Sequence, residues 1–271
     1  MSSGGATVVV ASATEEVGDV SGHLPGCPTW TVLRPGRSVA WVRVIDDPLA
    51  RQLVADLRVG GISAVLGPPD EAHAVGWHNR NRPTVVSDRL TVCFPWAQTD
   101  GDGSTVVEID PGAGFGTGDH PTTVLMLQEL SERLEGGESV ADIGCGSGVL
   151  AIAAARLGAH RADGIDINAA GLVAANRNAS MNGVDHAAQF SETPVRELQG
   201  IYDAVVANIH APLLASMADH LTRLVSPDGW LGLSGLSPAQ VSVLVAAFPG
   251  FEFEAPRHRD DWTSLVGRRR S

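Results

Sequence analysis

The chain has 271 residues, of which 44% are hydrophobic, and a formal net charge of −12. That length can bury a sizeable core, as one large domain or as a main domain with a small companion, whereas the negative charge argues against direct nucleic-acid binding, which needs cations to meet phosphates. No apolar run approaches the length of a bilayer span and the start, M-S-S-G-G-A-T, lacks a basic n-region, so the reading is a cytoplasmic protein with no membrane partner.

In chain order the sequence falls into three zones. Residues 1–70 carry strand-like runs at 30–33 and 39–45, then a helix over 48–58, with Asp47 as its N-cap and Pro48 at its first position. Gly60-Gly61 stops that helix and 62–66 read as a further strand. The zone is expected to be a small α+β domain, with a loose start because its first 30 residues are rich in Gly and Ser. Residues 71–106 read as a connecting segment, with a strand at 89–94 closed by Pro95-Trp96 and an exposed turn at 99–104.

From 107 to 271, strand and helix patterns alternate, the signature of a parallel sheet covered by helices. Strands fit 139–143, 163–167, 188–190, 203–207 and 230–233; helices fit 122–134, 168–182, 211–224 and 238–248. The end, 251–254 and 262–266, reads as a terminal strand pair joined by a polar loop. The fold class is therefore α/β: a mostly parallel Rossmann-like sheet with a terminal antiparallel hairpin, preceded by a small α+β domain.

Three segments carry the chemistry. The first is V-A-D-I-G-C-G-S-G over 140–148, a buried-looking strand ending in Asp142 and a glycine-rich turn. Gly144, Gly146 and Gly148 let backbone approach a ligand closely, and the helix start that follows offers free N–H groups to an anionic group. A dinucleotide fingerprint requires G-x-G-x-x-G, but Val149 occupies the third glycine position. With no pyrophosphate to cradle, an amino-acid-tailed nucleoside is the better ligand, and a dehydrogenase is the weakest reading. Asp166, ending the next strand, can accept hydrogen bonds from both ribose hydroxyls of an adenosine. Its replacement by alanine is expected to weaken cofactor binding and leave the fold intact. Cys145 inside the turn reads as a small buried thiol; the three cysteines, Cys27, Cys93 and Cys145, form neither a disulfide framework nor a metal site.

The second segment is D-P-G-A-G-F-G-T-G-D-H-P-T-T over 110–123, a polar loop before a helix. Phe115 offers an apolar face, Gly116, Thr117 and Gly118 a close-approaching backbone, and Thr117 and Thr123 hydroxyls. The third is V-V-A-N-I-H-A-P over 205–212, where Asn208 ends an apolar strand. Its amide could hold a substrate nitrogen or a cofactor group, or simply cap the next helix. His210 reads as a solvated or capping residue. All 19 cations are arginine, so a Schiff base on an enzyme lysine is excluded.

In that order, F-G-T-G-D-H-P-T-T, D-I-G-C-G-S-G-V-L-A-I-A-A, G-I-D-I-N and V-V-A-N-I resemble the PrmA family, methyltransferases that modify the eleventh protein of the large ribosomal subunit. Milder likeness runs from Trp77 through D-R-L-T-V-C-F-P-W to W-T-S-L-V-G-R, about the last 195 residues. The resemblance implies S-adenosylmethionine as cofactor, held by Thr123, Gly144, Asp166 and Asn208, with Phe115 and 116–118 lining the same pocket. It implies a ribosomal large-subunit protein as partner, methylated on lysine side chains, its N-terminus, or both. Asp119 departs from the family's usual threonine or histidine and adds negative charge near the site. Family members carry a ferredoxin-like N-terminal domain, of which residues 1–70 show only a loose β-α-β echo. Asn208 is the candidate to orient the amine and His120 a weak candidate base. Other readings keep the chemistry on a different protein, peptide or small molecule, or make the chain a non-catalytic cofactor-binding or ribosome-associated module. The oligomeric state is not legible.

Overall fold

A computed structural model of the chain describes residues 7–14, 29–34, 37–44, 47–59, 63–66, 83–95, 97, 99, 103–110 and 116–270. They belong to two compact units, Met1–Pro83 with Cys93–Asp100, and Thr84–Val92 with Gly101–Ser271.

The first unit holds strands β1 (Thr7–Thr14), β2 (Thr29–Arg34) and β3 (Arg37–Val44), helix α1 (Asp47–Val59) and strand β4 (Ser63–Leu66). They form an antiparallel sheet ordered β2-β3-β1-β4. Val54 and Leu57, three positions apart on α1, are buried, and Arg58 Nε donates to Ala64 O at 2.6 Å. This corrects the expectation of a loose start: T-V-V-V-A-S-A-T is a β-branched run and becomes a central strand, the Gly and Ser residues before it notwithstanding. The strand order, with a helix between β3 and β4, is that of a ferredoxin-like sheet; residues 15–28, between β1 and β2, lie outside the described ones.

The second unit opens with β5 (Thr84–Ser87), β6 (Leu90–Cys93) and β7 (Thr105–Glu108), a three-stranded sheet drawn from the segment read above as a connection. Its first hairpin is fastened to α2 (Pro121–Arg133): Gln128 Nε2 donates to Val86 O at 3.2 Å and Arg89 Nη1 to Ser131 O at 2.6 Å. Next come β8 (Ser139–Ile143), α3 (Val149–Arg156), β9 (Arg161–Ile165), α4 (Ala169–Met181), β10 (Ala188–Ser191) and β11 (Tyr202–Asn208). After them come α5 (Ala211–Ser216), α6 (Ala218–Leu224), β12 (Val225–Leu236), α7 (Val241–Ala247), β13 (Phe251–Phe253), β14 (Arg257–Arg259) and β15 (Trp262–Arg269).

The large sheet runs β10-β9-β8-β11-β12-β15-β13. The first five strands are parallel; β15 is antiparallel to both β12 and β13. Strand alternation sends Val140, Ala204 and Val206 into one core with α2 and α3, and Ala141, Ile143, Val205 and Ala207 into another with α5, α6 and α7. Helices thus cover both faces, and the chain order reverses between β8 and β11, where an open α/β sheet leaves a crevice for ligands. The helix expected over 211–224 breaks at Met217, whose φ of −102° and ψ of 7° leave helical geometry. The terminal pair is present, with β14 added in its polar loop.

One buried charge fastens the C-terminal hairpin. Glu129 on α2 is 2% exposed and takes Arg133 Nε at 3.0 Å and Arg257 Nε at 3.1 Å. Both arginines hold second carboxylates, Glu254 and Glu132, so removing Glu129 leaves neither cation bare. Glu129→Gln is expected to cost about 1–2 kcal/mol, less than a fully broken buried pair. A urea midpoint lowered at unchanged slope would show it; an unmoved midpoint would mean the pair contributes nothing net.

Candidate functional site

The glycine turn is built by three left-handed residues: Gly144, Gly146 and Gly148 have φ of 78°, 53° and 80°. At Gly144 a Cβ would lie 2.6 Å from Ile209 Cγ2, and at Gly148 it would lie 2.7 Å from the Phe190 ring. Side chains are therefore excluded by space as well as by backbone angle. The N–H groups of Gly144 and Cys145 both donate to Ile165 O, at 2.8 and 3.0 Å, which ties the turn to the end of β9.

Asp166 follows directly. Its Oδ2 accepts from Gly146 N–H and its Oδ1 from Asn168 N–H, each at 2.8 Å. The carboxylate thus braces the turn, and each oxygen keeps a further lone pair for a ligand. This revises the alanine expectation: removing Asp166 unfastens Gly146 as well. Asp142, one residue before the end of β8, is 0% exposed. Its Oδ2 accepts from Ala151 N–H at 3.2 Å, while Oδ1 is without a partner. Burial, opposed by the Ala151 hydrogen bond and reinforced by the Asp166 charge, pushes its carboxyl up to about 7. Burial first, then the charges of Asp142 and Asp166, also raises the Cys145 thiol far above its usual range, so it is an inert neighbour.

A cavity of about 590 Å³ opens at the carboxyl ends of β8, β9, β11 and β12. Among the residues singled out in the sequence, it is lined by Gly144, Gly146, Asp166, Asn208 and His120. Thr123 stands behind the wall, 1% exposed, accepting Asn208 Nδ2 at 3.2 Å, and Thr122, itself buried, lines the cavity instead. Gly116, Thr117, Gly118 and Asp142 do not line the cavity. Gly116 O accepts from Ser147 Oγ at 2.5 Å, Thr117 donates to Asp119, and a Cβ on Gly118 would meet Val92 Cγ1 at 2.4 Å. Phe115 lies outside the described residues. His120 is the N-cap of α2, its Nδ1 2.7 Å from Thr122 Oγ1, and its ring meets Trp262 edge-on with centroids 5.4 Å apart.

Several wall residues were not foreseen. Ile167, beside Asp166, is 97% exposed and, with Ile165, gives the cavity an apolar stretch of wall. An isoleucine directly after a strand-end acid was the signal available. Thr193, Pro194 and Val195 form another wall, held by Arg223 Nη2 donating to Val195 O at 2.8 Å. His210, Leu213 and Met217 of α5 and its caps, with Trp262 from β15 far along the chain, complete it, a meeting that no local pattern foretells.

These features suit an adenosine ligand with an amino-acid tail. The volume falls in the roughly 300–1,000 Å³ range of small-molecule sites, the cavity is lined by Gly144 and Gly146, and the Asp166 carboxylate stands in its wall after β9. Sheet order, glycine turn and strand-end acid together define a Rossmann-like class I methyltransferase, a class that takes its methyl group from S-adenosylmethionine. The family described as ribosomal protein L11 methyltransferase (PrmA) matches residues 67–270. A ribosomal protein L11 methyltransferase of Thiobacillus denitrificans is 43% identical over 231 residues, 83% of this chain and 77% of that one. One from Actinobacillus pleuropneumoniae is 40% identical over 194 residues, 70% of this chain and 66% of that one. The crystal structure of a ribosomal protein L11 methylase from Lactobacillus delbrueckii subsp. bulgaricus superposes with a TM-score of 0.63 at 29% identity, covering 69% of this chain and 96% of that one. The chain belongs to the ribosomal protein L11 methyltransferase family and is an S-adenosylmethionine-dependent methyltransferase. No helix among the described residues is long and apolar enough to cross a membrane.

Proposed function

We propose that the chain methylates amino groups of ribosomal protein L11, on lysine side chains, the N-terminus or both, and does so in the cytoplasm. The observation that carries the reading is Asn208. It stands at the carboxyl edge of β11, lines the cavity, and is fixed by its Nδ2 bond to Thr123 Oγ1. That bond commits the amide nitrogen and leaves Oδ1 as the acceptor for an amine.

The cofactor, when bound, supplies an electrophilic methyl group on a sulfonium. The chain's residues then have to hold it, orient the amine and keep water out. In this reading Gly144 and Gly146 take the amino-acid tail against bare backbone, Asp166 the ribose hydroxyls, and Ile165 and Ile167 the base. Asp142, Gly116, Thr117 and Gly118 support the same pocket, and Thr123 holds Asn208. An ammonium has no lone pair, so it sheds its proton before attack. In the same reading His120, which lines the cavity beside Trp262, is a candidate base. Residues 1–70 act as the recognition domain, 71–106 as the connection and 107–271 as the catalytic domain. An acidic chain suits a basic protein substrate.

The test is transfer of labelled methyl from S-adenosylmethionine to purified ribosomal protein L11, beside a whole-cell lysate. Label on the ribosomal protein, with kcat about 100-fold lower for Asn208→Ala, is the expected result. Label on another lysate component alone removes the substrate assignment, and label on nothing removes the activity.

A further inference from the structure

Asn178 on helix α4 and Asn182, the residue that follows the helix and still bonds back to Asn178 O, present their side chains to the chain at the end of β7. Asn182 Oδ1 accepts from Glu108 N–H at 2.9 Å and its Nδ2 donates to Glu108 O at 2.7 Å. Asn178 repeats the pattern two residues on: Oδ1 accepts from Asp110 N–H at 3.0 Å and Nδ2 donates to Asp110 O at 3.2 Å. Four helical residues rise roughly 6.0 Å and two extended residues roughly 6.6 Å, so amides at i and i+4 match the last residue of β7 and the second residue beyond it. The helix thus satisfies strand backbone as a neighbouring strand would.

The two amides differ in one respect. Asn178, 0% exposed, also donates from Nδ2 to Ser147 O of the glycine turn at 3.0 Å. Ser147 in turn donates from Oγ to Gly116 O. One turn residue is therefore joined to Asp110 through Asn178 and to Gly116 through its own hydroxyl. Asn182 bonds Asn178 O at 2.7 Å and Glu108, with no bond to the turn.

We propose that Asn178 is a positioning residue for cofactor binding, holding the glycine turn at Ser147 in register with the chain at Asp110, so that the two are ordered together. The inference rests on the reading of this turn as the S-adenosylmethionine site. Asn182 is its built-in control, because it does the same work for the strand and none for the turn. Both amides stabilise the fold; only Asn178 acts on the cofactor.

Binding of S-adenosylmethionine is measured by calorimetry on the full chain, with thermal midpoints of each variant alongside. Asn178→Ala and Asn182→Ala are expected to lower the midpoint alike. Asn178→Ala weakens affinity about tenfold, the scale of one buried hydrogen bond, and raises KM for the cofactor more than it lowers kcat; Asn182→Ala stays within about twofold. Equal affinity losses, or unchanged affinity in Asn178→Ala, would overturn the proposal. Should Asn178→Ala not fold, amide exchange in the unmutated chain decides: added cofactor slows exchange at Asp110 and leaves Glu108 unchanged, and equal response at both sinks the idea. If the unmutated chain binds no S-adenosylmethionine, the cofactor reading falls and this inference with it.

Discussion

Asp166→Ala is expected to weaken S-adenosylmethionine binding about 100-fold, or ~2.8 kcal/mol, the scale of two charge-assisted hydrogen bonds. The loss has two sources. A ligand's ribose would lose its acceptors, and the turn would lose its brace, because Asp166 Oδ2 holds Gly146 N–H and Oδ1 holds Asn168 N–H. Asparagine is no cleaner, since its amide nitrogen would face one of those two N–H donors. The sources separate in a cycle that pairs the variant with a 2′-deoxy analogue of the cofactor product. The unmutated chain should prefer the ribose form, and Asp166→Ala should lose most of that preference along with its overall affinity. Equal discrimination by both proteins would mean that the carboxylate only braces the turn, and the ribose assignment would be withdrawn.

That double duty shows where sequence reading stops. The strand, the glycine turn and the second acid are contiguous or follow a fixed spacing, so local pattern was enough to place Gly144 and Asp166 at one sheet edge. The parallel sheet was likewise legible, because strand and helix patterns alternate and β11 carries the apolar run Ala204–Ala207, as a strand buried on both faces must. What the carboxylate already holds was not legible: Gly146 N–H reaches it only once β8 and β9 lie side by side. Thr123 shows the same limit. Its hydroxyl was read as a ligand contact, but helix phase turns it to Asn208 and gives Thr122 the place in the cavity wall. The cavity wall from Thr193, Met217 and Trp262 is assembled by topology alone. In the first unit, glycine and serine content hid β1, whose β-branched run carried the better signal.

Asp142 gives the second large effect, a stability that falls as pH rises. Its carboxyl ionises near 3.8 in the unfolded chain and is pushed up to about 7 by burial in the fold. Between those values the folded chain keeps a proton that the unfolded chain has released, so the folded state binds more protons and stability declines with pH. The contribution is fully present below about pH 4 and lost as pH rises through about 7. Its scale is on the order of 4 kcal/mol, from roughly 3 pK units at 1.36 kcal/mol each. Asp142→Asn copies the protonated form and cannot ionise, while its side-chain oxygen still accepts Ala151 N–H. The variant should therefore match the unmutated chain near pH 4 and exceed it by up to about 4 kcal/mol at pH 8. Comparing urea midpoints of the two proteins across that range isolates the group, since other titrating residues cancel in the difference. Cys145 does not interfere, because its thiol stays protonated throughout. Parallel curves for the two proteins would show that Asp142 is ionised in the fold at neutral pH.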